Sequence, residues 1–81
     1  MDLHGKVALV TGGARRVGRA LAVGLAEQGM NIVIHYNRSE GEAAHTVAEL
    51  RARGVRAELA QGNLGNPLDI EHIFVVLESA F

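Results

Sequence analysis

Residues 6–18 read Lys6-Val-Ala-Leu-Val-Thr11-Gly12-Gly13-Ala14-Arg15-Arg16-Val17-Gly18. The stretch up to Thr11 is a compact apolar run halted by two glycines, the pattern of a strand buried on both faces of a parallel sheet. From Arg16 the spacing becomes helical. Val17, Ala20, Leu21, Gly24 and Leu25 recur every three or four residues, which predicts an inward stripe, with Arg19 and Gln28 directed elsewhere. Gly29 is the expected stop, one residue past the last turn.

The same alternation repeats twice more. Asn31-Ile-Val-Ile-His-Tyr36 is a second buried strand. Ser39-Glu-Gly-Glu42 matches a capping box, in which hydroxyl and carboxylate satisfy orphan amides reciprocally. Ala43, Val47 and Leu50 form the inner stripe of that second helix, and Gly54 closes it. In the third strand Val55, Ala57 and Leu59 alternate with Arg56, Glu58 and Ala60, so one face is partly polar, as suits an edge. Asn66 then caps a last helix with Pro67 in its first turn, where a missing N–H costs nothing. Ile70, Ile73, Phe74, Leu77 and Phe81 are its apolar stripe.

The order is βαβαβα, with connections too long for hairpins. Right-handed crossovers make the strands parallel, which predicts an α/β fold: the N-terminal half of a Rossmann sheet, strand order 3-2-1, with flanking helices. Residues 1–81 are expected to be a partial domain of three βα units, interrupted before a fourth strand.

Composition narrows the function classes. The 81 residues carry a net charge of −1, so no global attraction to nucleic acid or anionic membranes operates. There is no cysteine, hence no disulfide framework or thiolate metal site. His4, His35, His45 and His72 do not share a metal-binding spacing, and read as structural or solvated. The N-terminus lacks the basic and long apolar regions of a signal peptide, and no apolar run could span a bilayer, so a cytoplasmic location is expected.

The chemistry lies in the turn after the first strand. Gly12 lets the backbone turn tightly, small residues at Gly13 and Ala14 leave room for a pyrophosphate, and Gly18 lets the helix pack closely. The helix N-terminus, formed by Arg15, Arg16, Val17 and Gly18, offers unpaired N–H groups and partial positive charge to phosphates. A glycine-rich stretch means little alone; here it has the required strand before it and helix after it.

Leu3-x-Gly5-Lys6-Val-Ala-Leu-Val-Thr11-Gly12, followed by Arg16-x-Gly18, resembles the short-chain dehydrogenase/reductase family, whose loop is T-G-x-x-x-G-x-G. Thr11, Gly12 and Gly18 match; Arg16 stands where the family has its middle glycine, as in the pteridine reductase branch. The resemblance runs from about Leu3 to the end of the chain, with the loop and the end of the second strand its specific parts. It implies a nicotinamide cofactor, hydride transfer to a carbonyl or pteridine-type substrate, and a homo-oligomeric parent.

Cofactor choice is read after the second strand, where NAD-binding units place a carboxylate on the ribose hydroxyls. Here His35-Tyr36-Asn37-Arg38-Ser39 has no carboxylate before Glu40. Arg38 and Ser39 stand where a 2′-phosphate would lie, and Arg16 can approach from the loop, so NADP(H) is favoured over NAD(H). Asn63-Leu64 follows the third strand, where the family has an aspartate and a small apolar residue against the adenine. Asn63 can accept the adenine amino group without charge, or simply form a turn.

The family's catalytic tyrosine and the lysine four residues later are absent from these 81 residues: the one tyrosine is Tyr36, and Glu40 follows it at that spacing. No catalytic residue is assigned. The leading reading is the cofactor-binding portion of an NADPH-dependent reductase, its small-molecule substrate supplied with a site only by a longer parent chain. A 3-oxoacyl-thioester or general carbonyl reductase stands beside the pteridine reading. A non-catalytic NADPH-binding or dimerising module, and a remnant that binds nothing, stay open.

Overall fold

The structure, a computed structural model, describes residues 3–12 and 15–80. Three strands and three helices alternate: β1 (Val7–Thr11), α1 (Arg16–Glu27), β2 (Asn31–Tyr36), α2 (Glu40–Ala52), β3 (Ala57–Gln61) and α3 (Pro67–Ala80). The strands form one parallel sheet in the order β1-β2-β3, the predicted half-Rossmann arrangement. Among the described residues no helix is long and apolar enough to cross a membrane.

β2 lies in the middle, and Ile32 through Tyr36 are all buried along it. Its side chains alternate between two cores. Ile32, Ile34 and Tyr36 face the larger one, with Val10, Ala22, Ala26, Val47 and Leu50 from the neighbouring strand and from α1 and α2. Val33 faces a smaller one with Ala60 and Ile73, under α3.

That uneven cover corrects the reading of β1 as a strand buried on both faces. Val10 is buried, but Val7 and Leu9 are exposed. The register pairs Val7 with Asn31 and Leu9 with Val33, which puts both on the α3 side of the sheet. α3 packs over β3 there, and β1 is left without a helix on that face. The third strand is an edge of the sheet, as expected, and keeps its alternation: Ala57 and Leu59 face the larger core, while Ala60 on the other face is buried with Ile73 under α3.

The stripe of α1 is also corrected. Ala22 and Ala26 face the sheet, with Val23 and Leu25 packed beside them, while Val17 and Leu21 are exposed. Two overlapping series at three- and four-residue spacing run along this helix and share Leu25. Spacing does not choose between them; the alanines win because small side chains let the helix approach the sheet closely. On α3, Ile73 is buried and Leu77 packs beside it as expected, but Phe74 is exposed and Phe81 lies outside the described residues.

Helix ends divide into kept and broken expectations. α1 and α2 stop at Gly29 and Gly54, with φ of 83° and 88°. At α3 the Asn66 Oδ1 accepts the Leu68 N–H at 3.0 Å, so Asn66 is the N-cap and Pro67 the first helical residue. Ser39 is the N-cap of α2, and its carbonyl accepts the Ala43 N–H at 2.9 Å, but its hydroxyl makes no capping bond. The capping box is therefore not formed. The ψ of Ser39 is 57° rather than the extended value usual for a capping residue.

Candidate nucleotide site

Parallel strands carry their C-terminal ends to one edge of the sheet, where ligands of open α/β sheets bind. Here that edge holds the turn after β1, the turn after β2 and the turn after β3. A cavity of about 180 Å³ opens between the first two, lined by Gly12, Arg15, His35, Tyr36, Asn37, Arg38 and Ser39. Among the described residues no carboxylate lines it. Arg15 and Arg38 make no ion pair or hydrogen bond among the described residues, so two guanidiniums stand unneutralised at one cavity.

Gly12 turns the chain out of β1 with φ of 64°, and nothing lies within 4 Å of where a side chain would project. That backbone conformation disfavours any residue with a Cβ. Thr11, the last residue of β1, is exposed beside it. Gly13 and Ala14 lie outside the described residues. Arg15, at the N-cap of α1, makes no side-chain capping bond, and no acidic residue occupies the first turn. The opening amides of α1 thus keep their partial positive charge for an anion.

Of the remaining loop residues, Arg16 is the first of α1 and exposed, Val17 is 81% exposed, and Gly18 is half-buried. None of the three lines the cavity; the loop guanidinium that joins Arg38 there belongs to Arg15. Across the cavity, Asn37 and Arg38 are exposed, and Ser39 is half-buried with its hydroxyl uncommitted by the helix cap. Tyr36 is buried beneath them. Burial first, and then the negative charge of Glu40, push its phenol pKa up from the ordinary value.

The turn after β3 stands apart from the cavity lining. Leu64 is 49% exposed. Asn63 forms a turn: its Oδ1 accepts the Gly65 N–H at 2.8 Å, and its carbonyl accepts the Asn66 N–H at 2.9 Å. Its own N–H is donated to Asp69 Oδ2 at 2.9 Å. The turn-forming role of Asn63 is thus realised, and Oδ1 keeps one lone pair for a further donor.

Of the histidines read as structural or solvated, His35 is structural. His35 sits inside the buried strand, 5% exposed, and its Nε2–H is donated to the Gly62 carbonyl at 2.7 Å. The available signal was a single polar residue within an otherwise apolar run.

This arrangement suits a polyanion: a helix with no acidic residue in its first turn, an open glycine turn and two arginines on facing turns that are unpaired among the described residues. A phosphorylated nucleotide fits it in charge, and a carboxylate-bound ribose does not.

Known proteins agree in fold. A family model described as short chain dehydrogenase matches residues 6–80. The chain is 37% identical over 90 residues to an NADPH-dependent aldehyde reductase-like protein of the chloroplast from Arabidopsis thaliana, covering 100% of this chain and 33% of that protein. A solved short-chain dehydrogenase from Burkholderia cenocepacia in complex with NADP superposes with a TM-score of 0.89 at 37% identity, over 99% of this chain and 33% of that one. Another, from Burkholderia phymatum in complex with NAD, gives 0.91 at 32% identity, over 100% and 28%. The chain spans about a third of the length of the relatives it matches.

Proposed function

We propose, for a chain that belongs to the short-chain dehydrogenase family, that the cavity between the turns after β1 and β2 receives the 2′-phosphate end of NADP(H). The observation that carries this reading is the pair of unneutralised guanidiniums, Arg15 and Arg38, at a cavity without a carboxylate. A phosphate dianion between two arginines gains charge-assisted hydrogen bonds that a ribose hydroxyl cannot match. The Ser39 hydroxyl, left free by the unformed capping box, is a third donor on the same side. Gly12, with the first amides of α1, takes the pyrophosphate, and Gly13, Ala14, Arg16, Val17 and Gly18 complete that loop.

When bound, the nicotinamide supplies the hydride; the residues described here supply binding and orientation. The parent reaction is then reduction of a carbonyl or pteridine-type substrate by an NADPH-dependent enzyme. The pteridine reading is supported by Arg16 in the loop together with His35-Tyr36-Asn37-Arg38-Ser39.

The test is a pair of titrations followed by nicotinamide fluorescence. NADPH is expected to bind at least tenfold more tightly than NADH, the span of one charge-assisted hydrogen bond. Equal affinities, or tighter NADH, overturn the assignment.

A further inference from the structure

The buried histidine of β2 is among the residues lining the cavity, yet its ring is committed elsewhere: among the described residues it is the one β2 side chain hydrogen-bonded to the turn after β3. A carbonyl only accepts, so the 2.7 Å contact with Gly62 O fixes the proton on His35 Nε2. The other nitrogen, Nδ1, is buried without a partner among the described residues. The ring is therefore held by the Gly62 carbonyl and by packing.

Gly62 itself is buried and closely surrounded. Its N–H is donated to the Tyr36 carbonyl at 3.0 Å. A side chain there would meet the Cβ of Asp69 at 3.1 Å and its carbonyl oxygen at 3.2 Å. The backbone is thus wedged between β2 and the first turn of α3. One residue later, the Asp69 carboxylate accepts the Asn63 N–H at 2.9 Å, so α3 grips the same turn from the far side.

We propose that His35 and Asp69 are positioning residues that together fix Asn63 and Leu64 as the base-facing wall of the nucleotide site. This rests on the cofactor reading above. His35 sets the depth of the turn through Gly62, and Asp69 sets its direction through Asn63. Neither needs to touch the nucleotide. Because the wall contacts the base and not the 2′-phosphate, its loss weakens both nicotinamide cofactors alike.

The experiment measures NADPH and NADH affinities for the protein and for His35→Leu, His35→Gln, Asp69→Ala and Asp69→Asn, with nitrogen-15 spectra of the histidine ring. His35→Leu and Asp69→Ala are each expected to weaken both cofactors about tenfold, as loss of one buried neutral hydrogen bond or of one exposed bond to a carboxylate would, with the NADPH-to-NADH ratio kept within about twofold. His35→Gln, which can still offer an N–H to Gly62, and Asp69→Asn, which keeps an acceptor for Asn63, should restore most of the affinity. The spectra should show the Nε2–H tautomer.

Wild-type affinity in the folded Leu and Ala variants, a changed cofactor ratio or an Nδ1–H tautomer overturns the proposal while leaving the cofactor reading intact. A parent protein that binds neither cofactor removes the cofactor reading and the proposal with it. Should His35→Leu not fold, the two Asp69 variants and the tautomer decide.

Discussion

Arg19 on α1 and Glu49 on α2 form a two-pronged ion pair, with Nε 2.8 Å from Oε2 and Nη2 on Oε1. It clamps the two helices that cover one face of the sheet. The Arg19 side chain is 45% exposed and that of Glu49 23%, so solvent screens the pair and its worth is about 0.2–1 kcal/mol. Arg19→Ala should lower stability in urea by that amount at low salt, and the gap should shrink in molar salt. A gap indifferent to salt would mean that the arginine stem, not its charge, holds the helices.

The two helix caps should rank opposite to what their sequences suggest. Asn66→Ala removes the bond to Leu68 N–H and should cost about 1 kcal/mol. Ser39→Ala removes no capping bond and should fall within about 0.5 kcal/mol of wild type. It should nonetheless weaken NADPH if its hydroxyl serves the phosphate. Urea titrations of the two variants side by side check the ranking, and a larger loss at Ser39 would reinstate the capping box.

Arg38→Ala should cost about 1.5–3 kcal/mol of NADPH affinity, roughly 10- to 150-fold, and leave NADH nearly unchanged. Arg15→Ala should act in the same sense, since it lines the same cavity. Arg16→Ala should act more weakly, because Arg16 lies outside that lining. Calorimetry on the three variants orders them; a larger effect at Arg16 would return the loop contact to the position favoured by sequence.

Tyr36 is the one tyrosine and there is no tryptophan, so its ionisation can be followed in the ultraviolet without overlap. Burial, then Glu40, raises its native pKa above the ordinary 10.0. Below pH 10 the phenol is neutral in folded and unfolded chains alike, and this contribution to stability is fully present. As pH rises further the unfolded chain ionises first, so stability falls until the native pKa is passed. The native absorbance midpoint should lie above 10, and Tyr36→Phe should remove this part of the alkaline loss. A native midpoint at or below 10 would contradict the burial.

The sequence disclosed what is written in backbone terms: three βα units, their parallel order, the glycine turn at Gly12 and the Asn66-Pro67 helix start. It was less informative where two patterns fit one helix. Along α1, Val17 and Leu21 are as well spaced as Ala22 and Ala26, and only the approach to the sheet separates the two stripes. Val7 and Leu9 are apolar enough for burial, but whether anything covers them depends on where α3 lands. The site divides the same way. Arg38 and Ser39 were legible from their place after β2, whereas the nearer of two adjacent arginines, and the bond from His35 to Gly62, depend on side-chain direction in three dimensions.

The central place of β2 also governs how the chain can assemble. Every strand pairing involves β2, and each joins residues about two dozen positions apart, as with Val7 and Asn31 or Ile32 and Ala57. No pairing can form before a whole helical crossover has been closed, so the entropic barrier to the sheet is set by loop closure and not by local propensity. Until β2 has a neighbour, its run from Ile32 to Tyr36 has nowhere to hide from water. The amides of β2 should accordingly be the last to exchange with solvent deuterium, and its docking the slow step in refolding.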